Sequence, residues 1–393
     1  MRTATSAGRD EDPRHDSGQG HRRASGRRPR GRSLLLSAPI VLLVAGLWGG
    51  LARLGFDLPL PGPAIAVHHG PLMVLGALGT LIALERAVAL GTRLALAVPA
   101  ISALGALTVV LLPEPAPGQA LLGLAGVGLT GVFVTLWRRQ PSVHALVMGA
   151  GAALWPAAVA VWSGLGAAPA VPWLAAFLLL TIIGERLELL RLARPSPGAL
   201  RLLHATTAVL LASLVASLSW PETAVRVVGI TMLVQALWLL RCDLAPRLVR
   251  KAGVTRYMAV ALTGGYVWLA VAGALWVAYG MTTSGPQHDA VAHAFFLGFA
   301  FSMIFGHAPV ILPAVLRVDL PFHPVLYTPL VLLHLTVAVR VAADVAGASV
   351  LVQGAGLANT ATLAAFGLAV LFARRRTRAS VERPTAPRPP GRG

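Results

Sequence analysis

The sequence has 393 residues, of which 56% are hydrophobic and 12% are charged. Soluble globular domains carry about 25% charged residues, so this balance excludes an ordinary soluble domain and is typical of a bundle of membrane helices. The formal net charge is +18, but the arginines lie in the tails and in alternate loops, so the charge does not indicate a nucleic-acid partner. The single cysteine, Cys242, excludes an internal disulfide and a cysteine-ligated cluster within the chain.

The two ends of the chain differ in composition from the rest. Residues 1–33 are rich in Arg, Gly and Ser and are predicted to be a disordered tail, because such a composition cannot bury a core. The arginines before Leu34 would also suit a secretory signal, but the apolar run that follows is long and lacks a cleavage site of small residues. A first membrane helix is therefore favoured. Residues 374–393, rich in Arg and Pro, are predicted to be a second disordered tail, which leaves 34–373 as a transmembrane helical domain.

Apolar stretches recur along this domain, and each is long enough to cross a hydrocarbon core of about 30 Å. The predicted fold is an all-α polytopic integral membrane protein with about twelve transmembrane helices. The predicted spans are Leu34–Leu54, Ala64–Leu84, Leu94–Leu112, Gln119–Trp137, Val143–Trp162, Ala170–Leu192, Ala199–Ser219, Thr223–Leu240, Tyr257–Tyr279, Asp289–Pro313, Pro324–Asp344 and Ser349–Ala373.

The charges in the loops predict the orientation. With the basic N-terminal tail in the cytoplasm, the loops on that side carry nearly all of the basic residues, among them Arg93, Arg138 and Arg139, and Arg374 to Arg376. The loops on the opposite side carry almost none, with Arg226 as the exception. This is the positive-inside pattern. It predicts that both termini are cytoplasmic, that the protein lies in a bacterial cytoplasmic membrane, and that the lipid bilayer is its main partner.

Histidines in the predicted spans are the candidates for chemistry. An ionisable side chain in a low-dielectric span is costly and tends to face a partner, a cavity or a metal, and imidazole ligates haem iron and copper. His293 and His307 both lie in the tenth span. At about 1.5 Å per residue their separation along a helix is roughly 21 Å. They therefore mark two depths of the membrane and cannot serve one metal.

His69 begins the second span and lies at the depth of His293. Two histidines at one depth on different helices can be the axial ligands of one haem; the alternative is that each is a hydrogen-bonded structural residue. The small residues after His69 let a flat macrocycle or a neighbouring helix approach closely. Arg340 lies at the same outer level, one turn before Asp344. It is predicted either to form an i,i+4 ion pair near the outer surface or to meet a haem propionate.

A second group of histidines lies towards the cytoplasm. His307 with His334 or His204 could form a metal or proton site, and His307 and His334 are the candidate metal ligands. The alternative is that His307 satisfies backbone carbonyls freed by Pro309 and Pro313.

Two charged clusters lie at predicted cytoplasmic helix ends: LERAVAL around Glu85–Arg86, and GERLELLRL around Glu185, Arg186, Glu188 and Arg191. Neighbouring charges at helix ends are usually solvated anchors, which is the interpretation that we favour. A site of proton uptake, or a contact from an arginine to a haem propionate, is the alternative.

The order of these elements resembles the haem–copper oxidase subunit I superfamily, which has twelve helices, cytoplasmic termini and one outer-side histidine on each of helices two and ten. His69 begins the stretch HGPLM, which is similar to the HGxxM motif of helix two in that superfamily. The C-terminal stretch HAFFLGFAFSMIFGH, followed by LLHLTVAVRV, resembles the NnrS family. That family comprises haem- and copper-containing membrane proteins associated with nitric oxide stress and denitrification.

The resemblance implies a low-spin haem, taken as b-type, held by His69 and His293, with copper as a further cofactor. The implied role lies in respiratory or nitrogen-oxide metabolism, with a quinol or another respiratory subunit as partner. The sixth span has no histidine and the seventh has only His204, so the copper-binding set of an oxidase is incomplete and enzymatic activity is left open. Two other functions compete: a transporter or permease whose histidines lie in a proton or substrate pathway, and a scaffold without chemistry.

Overall fold

A computed structural model describes residues 30–59, 62, 65–190, 195–316 and 322–381. The predicted N-terminal tail up to residue 29, and the C-terminal tail after Val381, lie outside the described residues. Residues 30–33 and 374–381 belong to the first and last helices.

The described part of the chain is built of helices and contains no strand. Eleven of these helices are long and apolar enough to cross a membrane, and Ser37–Arg53 is a shorter apolar stretch within one more helix. We number them α1 (Arg30–Arg53), α2 (His69–Leu90), α3 (Leu94–Leu111), α4 (Ala116–Arg139), α5 (Val143–Leu165), α6 (Ala167–Leu190), α7 (Pro197–Ala216), α8 (Pro221–Cys242), α9 (Gly253–Tyr279), α10 (Gly285–Pro313), α11 (Pro324–Ala346) and α12 (Ser349–Val381). The all-α class and the helices of a multi-pass membrane protein are therefore confirmed. The exact number of spans and the cytoplasmic termini stay predictions.

The second helix departs most from its predicted bounds. It begins at His69 rather than at residue 64 and continues to Leu90, where Gly91 ends it in the left-handed conformation at φ 75°. Glycine suits this position because it has no Cβ to clash there. The later end places Glu85 and Arg86 inside the helix rather than beyond it.

Helices α2 and α10 each contain a π-helical segment, Leu72–Gly79 in α2 and Ala294–Phe301 in α10. Each segment follows one of the two predicted haem ligands. Such π-helical turns are rare in proteins, and those that occur are often found at functional sites. Glycines let other helices approach closely: a Cβ at Gly79 would lie 2.6 Å from the Trp155 ring. The two helices that carry the candidate ligands thus share an unusual local geometry.

Helix α6 lies at the centre of the bundle. Every residue from Ala170 to Thr181 is buried, as expected for a helix that is surrounded by other helices. Helices α2, α6 and α10 run in the same direction, and α6 contacts both of the others. Their N-terminal halves line one cavity and their C-terminal halves line another.

Candidate functional site

The larger cavity, about 280 Å³, lies at the end of the bundle where α1 ends and where α2 and α10 begin. We call it the histidine cavity. Its walls come from α1, α2, α6, α10, α11 and α12. The polar residues that line it are Arg53, His69, Thr283, His288, Asp289, His293, Arg340, Asn359 and Thr360. The structure therefore brings the three residues predicted to bind haem, His69, His293 and Arg340, to one cavity.

Both candidate ligands are oriented by backbone carbonyls. His69 Nδ1 lies 2.6 Å from the Gly46 carbonyl oxygen, and His293 Nδ1 lies 2.6 Å from that of Asp289. A carbonyl oxygen only accepts, so each Nδ1 carries the proton and each Nε2 keeps its lone pair. Among the described residues neither Nε2 has a hydrogen-bond partner. Hydrogen bonding of one ring nitrogen to a carbonyl is the usual arrangement of a metal-ligating histidine.

Two further histidines lie near this pair. His288 also lines the cavity, and its Nδ1 lies 2.8 Å from the Thr282 carbonyl oxygen, so it is a rival for His293. His68 is different, because its Nδ1 accepts from Trp162 Nε1 at 3.3 Å and its ring lies edge to face with that of Trp162. His68 therefore faces Trp162 on α5, whereas its neighbour His69 lines the cavity.

Charged residues form one end of the histidine cavity. Arg340, with 2% of its surface exposed, donates from Nε to Asp344 Oδ2 at 3.0 Å. Its Nη2 lies 3.5 Å from Asp289 Oδ2, and Arg53 approaches the same carboxylate at 3.9 Å. The i,i+4 ion pair expected from the sequence is formed, but it is buried rather than near the surface. Sequence reasoning did not single out Asp289 or Arg53; the position of Asp289 one turn before His293 is the signal that could have found it.

A second cavity, about 90 Å³, is lined by Glu85, Glu185 and His307 from α2, α6 and α10. We call it the carboxylate cavity. Arg86 Nη2 lies 2.5 Å from Glu185 Oε1 and 3.2 Å from Glu85 Oε1, and its side chain is only 13% exposed. The prediction that these clusters are solvated anchors is therefore wrong for Glu85, Arg86 and Glu185, whereas Glu188 is exposed as expected. Arg191 lies outside the described residues. Helix α2 extends six residues further than predicted, to Leu90, and its charged turn faces that of α6 inside the bundle.

His307 and His334, the two predicted metal ligands, have different surroundings. His307 Nδ1 lies 2.7 Å from the Met303 carbonyl oxygen, and its Nε2 lies 2.7 Å from Nη2 of Arg186. Because guanidinium only donates, it occupies the lone pair that a metal would use. On α11, His334 Nδ1 accepts from Trp268 Nε1 at 3.0 Å, while its Nε2 is buried without a partner.

His307 and His334 are not part of a larger group of possible metal ligands among the described residues. Within the described ranges, no three or more His, Cys, Asp or Glu side chains are grouped so that they could hold a metal ion. The third candidate of that group, His204, is exposed on α7. A metal on His307 Nε2 would require Arg186 to move away. The metal site at His307 and His334 stays a prediction.

A family model described as a domain of unknown function, DUF8744, matches residues 32–375. The chain belongs to that family. The matched range covers the helical bundle and leaves out most of both tails, so the DUF8744 unit is the bundle that forms the two cavities. No curated protein and no solved structure matches the chain. The function of this DUF8744 protein has to be argued from its sites.

Proposed function

We propose that this protein is a haem-binding integral membrane protein of respiratory or nitrogen-oxide metabolism, with a low-spin haem between α2 and α10. The observation that supports this most is the pair His69 and His293. Each imidazole lines the same cavity, each donates from Nδ1 to a backbone carbonyl, and each keeps an Nε2 free to bind iron.

The rest of the cavity suits the same group. Its walls are largely apolar, as a macrocycle requires, with side chains such as Val74 and Phe301. Gly50 of α1 also lines the cavity, and a Cβ there would lie 2.8 Å from His69 Cε1, so α1 lies close to this candidate ligand. Arg340 supplies a cation at the polar end, which suits a propionate.

Haem would supply one-electron chemistry, tuned by its axial ligands and by its surroundings. His69 and His293 would hold the haem through Nε2, and the chemistry that it would supply is electron transfer. The partner would be a quinol or another respiratory subunit. Arg53 and Thr283 are exposed at the mouth of the cavity, so the cavity opens at the end of the bundle and the group would lie close to the aqueous phase.

The visible spectrum of the full chain, purified in detergent from cells supplied with haem, tests the proposal. We expect the six-coordinate low-spin spectrum to be lost in His69→Ala and in His293→Ala, because each removes an axial ligand. His68→Ala should keep the spectrum, since His68 is bonded to Trp162.

The rival histidine supplies a second control. His288→Ala removes an imidazole from the same cavity, and we expect its spectrum to match that of the parent. If His288→Ala bleaches the protein while His293→Ala does not, the ligand on α10 is misassigned. A parent protein that binds no haem contradicts the proposal as a whole.

A transporter is the second candidate, favoured by one observation. Leu78 on α2 lines both cavities, so the histidine and carboxylate cavities adjoin along a helix with a π-helical segment. Interrupted helices beside buried charges are typical of transporters. A haem-free parent would favour this function.

The metal content of purified protein tests for copper at His307 and His334. If each of His307→Ala and His334→Ala loses one metal equivalent relative to the parent, the site is supported. Equal metal content in the parent and both variants contradicts it.

A further inference from the structure

Asn359 is a buried amide without hydrogen bonds in the wall of the histidine cavity. It lies on α12, only 4% of its surface is exposed, and neither Nδ2 nor Oδ1 has a partner among the described residues. Native interiors rarely leave both atoms of an amide unsatisfied. The side chain therefore indicates that a polar group binds at this part of the cavity.

Arg340 lines the same cavity as Asn359 and contacts the same helix. One turn before Asn359 on α12 stands Gly356, where a Cβ would lie 2.9 Å from Arg340 Nη1, so the guanidinium rests against α12 at this point. The two Nη atoms have long contacts, 3.5 Å to Asp289 Oδ2 and 3.4 Å to the Val352 carbonyl oxygen, whereas Nε has a 3.0 Å contact to Asp344. Arg340 is thus anchored through Nε, and its Nη groups are only weakly engaged.

We propose that Asn359 and Arg340 form a subsite for a planar oxyanion, a carboxylate above all. A guanidinium presents N–H groups in a fork that matches the two oxygens of a carboxylate. The Asn359 amide adds an N–H donor without adding charge. The anion would replace the long contact between Arg340 and Asp289, a carboxylate that Arg53 also approaches. Asp344 would continue to hold the guanidinium in place.

A carboxylate at this subsite can come from two sources. The carboxylate is either a propionate of the haem, in which case the inference rests on the proposed function, or a free small anion that enters through the mouth beside Arg53. The full chain purified without haem separates the two sources. One arm compares the affinities for haem and for haem dimethyl ester, which lacks the charged carboxylates. The other arm measures the thermal unfolding midpoint in sodium acetate against sodium chloride at equal ionic strength.

If the subsite binds the propionate, the parent should bind haem about tenfold or more tightly than the diester, because hydrogen bonds to a charged group are lost with the ester. If it binds a free anion, acetate should raise the unfolding midpoint of the parent. In either case Asn359→Ala should remove most of the effect. Asn359→Asp, which keeps the shape and adds a negative charge, should remove at least as much.

A matched control is Gln235→Leu. Gln235 is also a fully buried amide with an unpartnered oxygen, but it lies on α8 outside the cavity, so its replacement should leave both measurements unchanged. A parent without ester discrimination and without acetate stabilisation overturns the subsite with no variant needed. A parental effect that persists in Asn359→Ala overturns it as well. If neither porphyrin binds, the proposed function fails, and the acetate arm alone decides the subsite.

Discussion

Glycine residues on α1 set where the side chains of α2 lie. Gly46 contributes its carbonyl to His69 Nδ1, and its missing Cβ leaves room for Met73. One turn later, the ring of His69 occupies the space beside Gly50, where a Cβ would be 2.8 Å from Cε1. That separation is shorter than real Cβ contacts, so the imidazole and any larger residue at this position exclude each other. The orientation of His69 thus depends on a helix that contains no histidine.

We expect Gly50→Ala to displace the imidazole of His69 and to weaken its hydrogen bond to Gly46. The variant should lose or broaden the six-coordinate spectrum. Its free energy of unfolding should fall by roughly 1–3 kcal/mol, as is typical of overpacking. Gly354→Ala is the control, because a Cβ there meets no atom within 4 Å. It should keep the spectrum. Its free energy of unfolding should rise by up to about 1 kcal/mol, because alanine loses less conformational entropy than glycine when a helix forms. A Gly50→Ala protein with parental spectrum and stability would contradict this account.

Three parallel helices, α2, α6 and α10, line both cavities, and an ion pair joins α2 to α6. Along α2, α6 and α10 the N-terminal halves line the histidine cavity and the C-terminal halves line the carboxylate cavity. Arg86 on α2 pairs with Glu185 on α6 at 2.5 Å. A charge is costly to bury unless it has a partner, so this pair constrains how the two helices lie against each other.

Glu185→Gln should therefore destabilise the bundle, because Arg86 would lose its shorter contact inside the protein. Breaking a fully buried pair costs about 3–5 kcal/mol. We expect roughly 2 kcal/mol here, since Glu185 is 24% exposed and Arg86 keeps Glu85. The control is Glu222→Gln, whose pair with Arg226 is well exposed and worth about 0–1 kcal/mol. Unfolding midpoints in detergent decide the matter; equal values for the two variants would mean that the internal pair adds no more than the surface pair.

For the whole molecule, the arrangement of the cavities gives the orientation in the membrane a functional meaning. The histidine cavity is lined by the N-terminal halves of α2, α6 and α10, and the carboxylate cavity by their C-terminal halves. If the positive-inside pattern holds, the histidine cavity faces the outside and the carboxylate cavity faces the cytoplasm. Under the proposed function, the haem would then lie near the outer surface.

Reporter fusions test this orientation. A reporter after Arg376 should behave as cytoplasmic, and one inserted near Gln287 should behave as external, because basic residues are retained on the cytoplasmic side. A fusion at Arg93, in the loop after α2, serves as an internal control and should also be cytoplasmic. An external C-terminus would show that the predicted count of twelve spans is off by an odd number. A fusion at Arg93 that behaves as external would exchange the sides assigned to the two cavities.

The sequence by itself determined the fold class and most helix bounds. In a bilayer every backbone polar group needs an internal partner, so an apolar run long enough to cross it has to be a helix, whatever its neighbours are. The bounds of α3, α9 and α11 agree with prediction within a few residues for this reason. Counting residues along each predicted helix gives the depth of a side chain in the membrane. This count was enough to predict that His69 and His293 lie at the same depth.

Only the tertiary structure decided which atoms meet. Arg86 and Glu185 lie 99 positions apart in the sequence, and Arg186 and His307 lie 121 positions apart. Their contacts depend on the rotation and spacing of whole helices. Packing of small and large side chains sets that rotation, and no local pattern encodes it. For the same reason the sequence did not reveal that Asn359 lines the histidine cavity. A polar residue in an apolar span shows that a partner is needed, and only the packed bundle shows where that partner must lie.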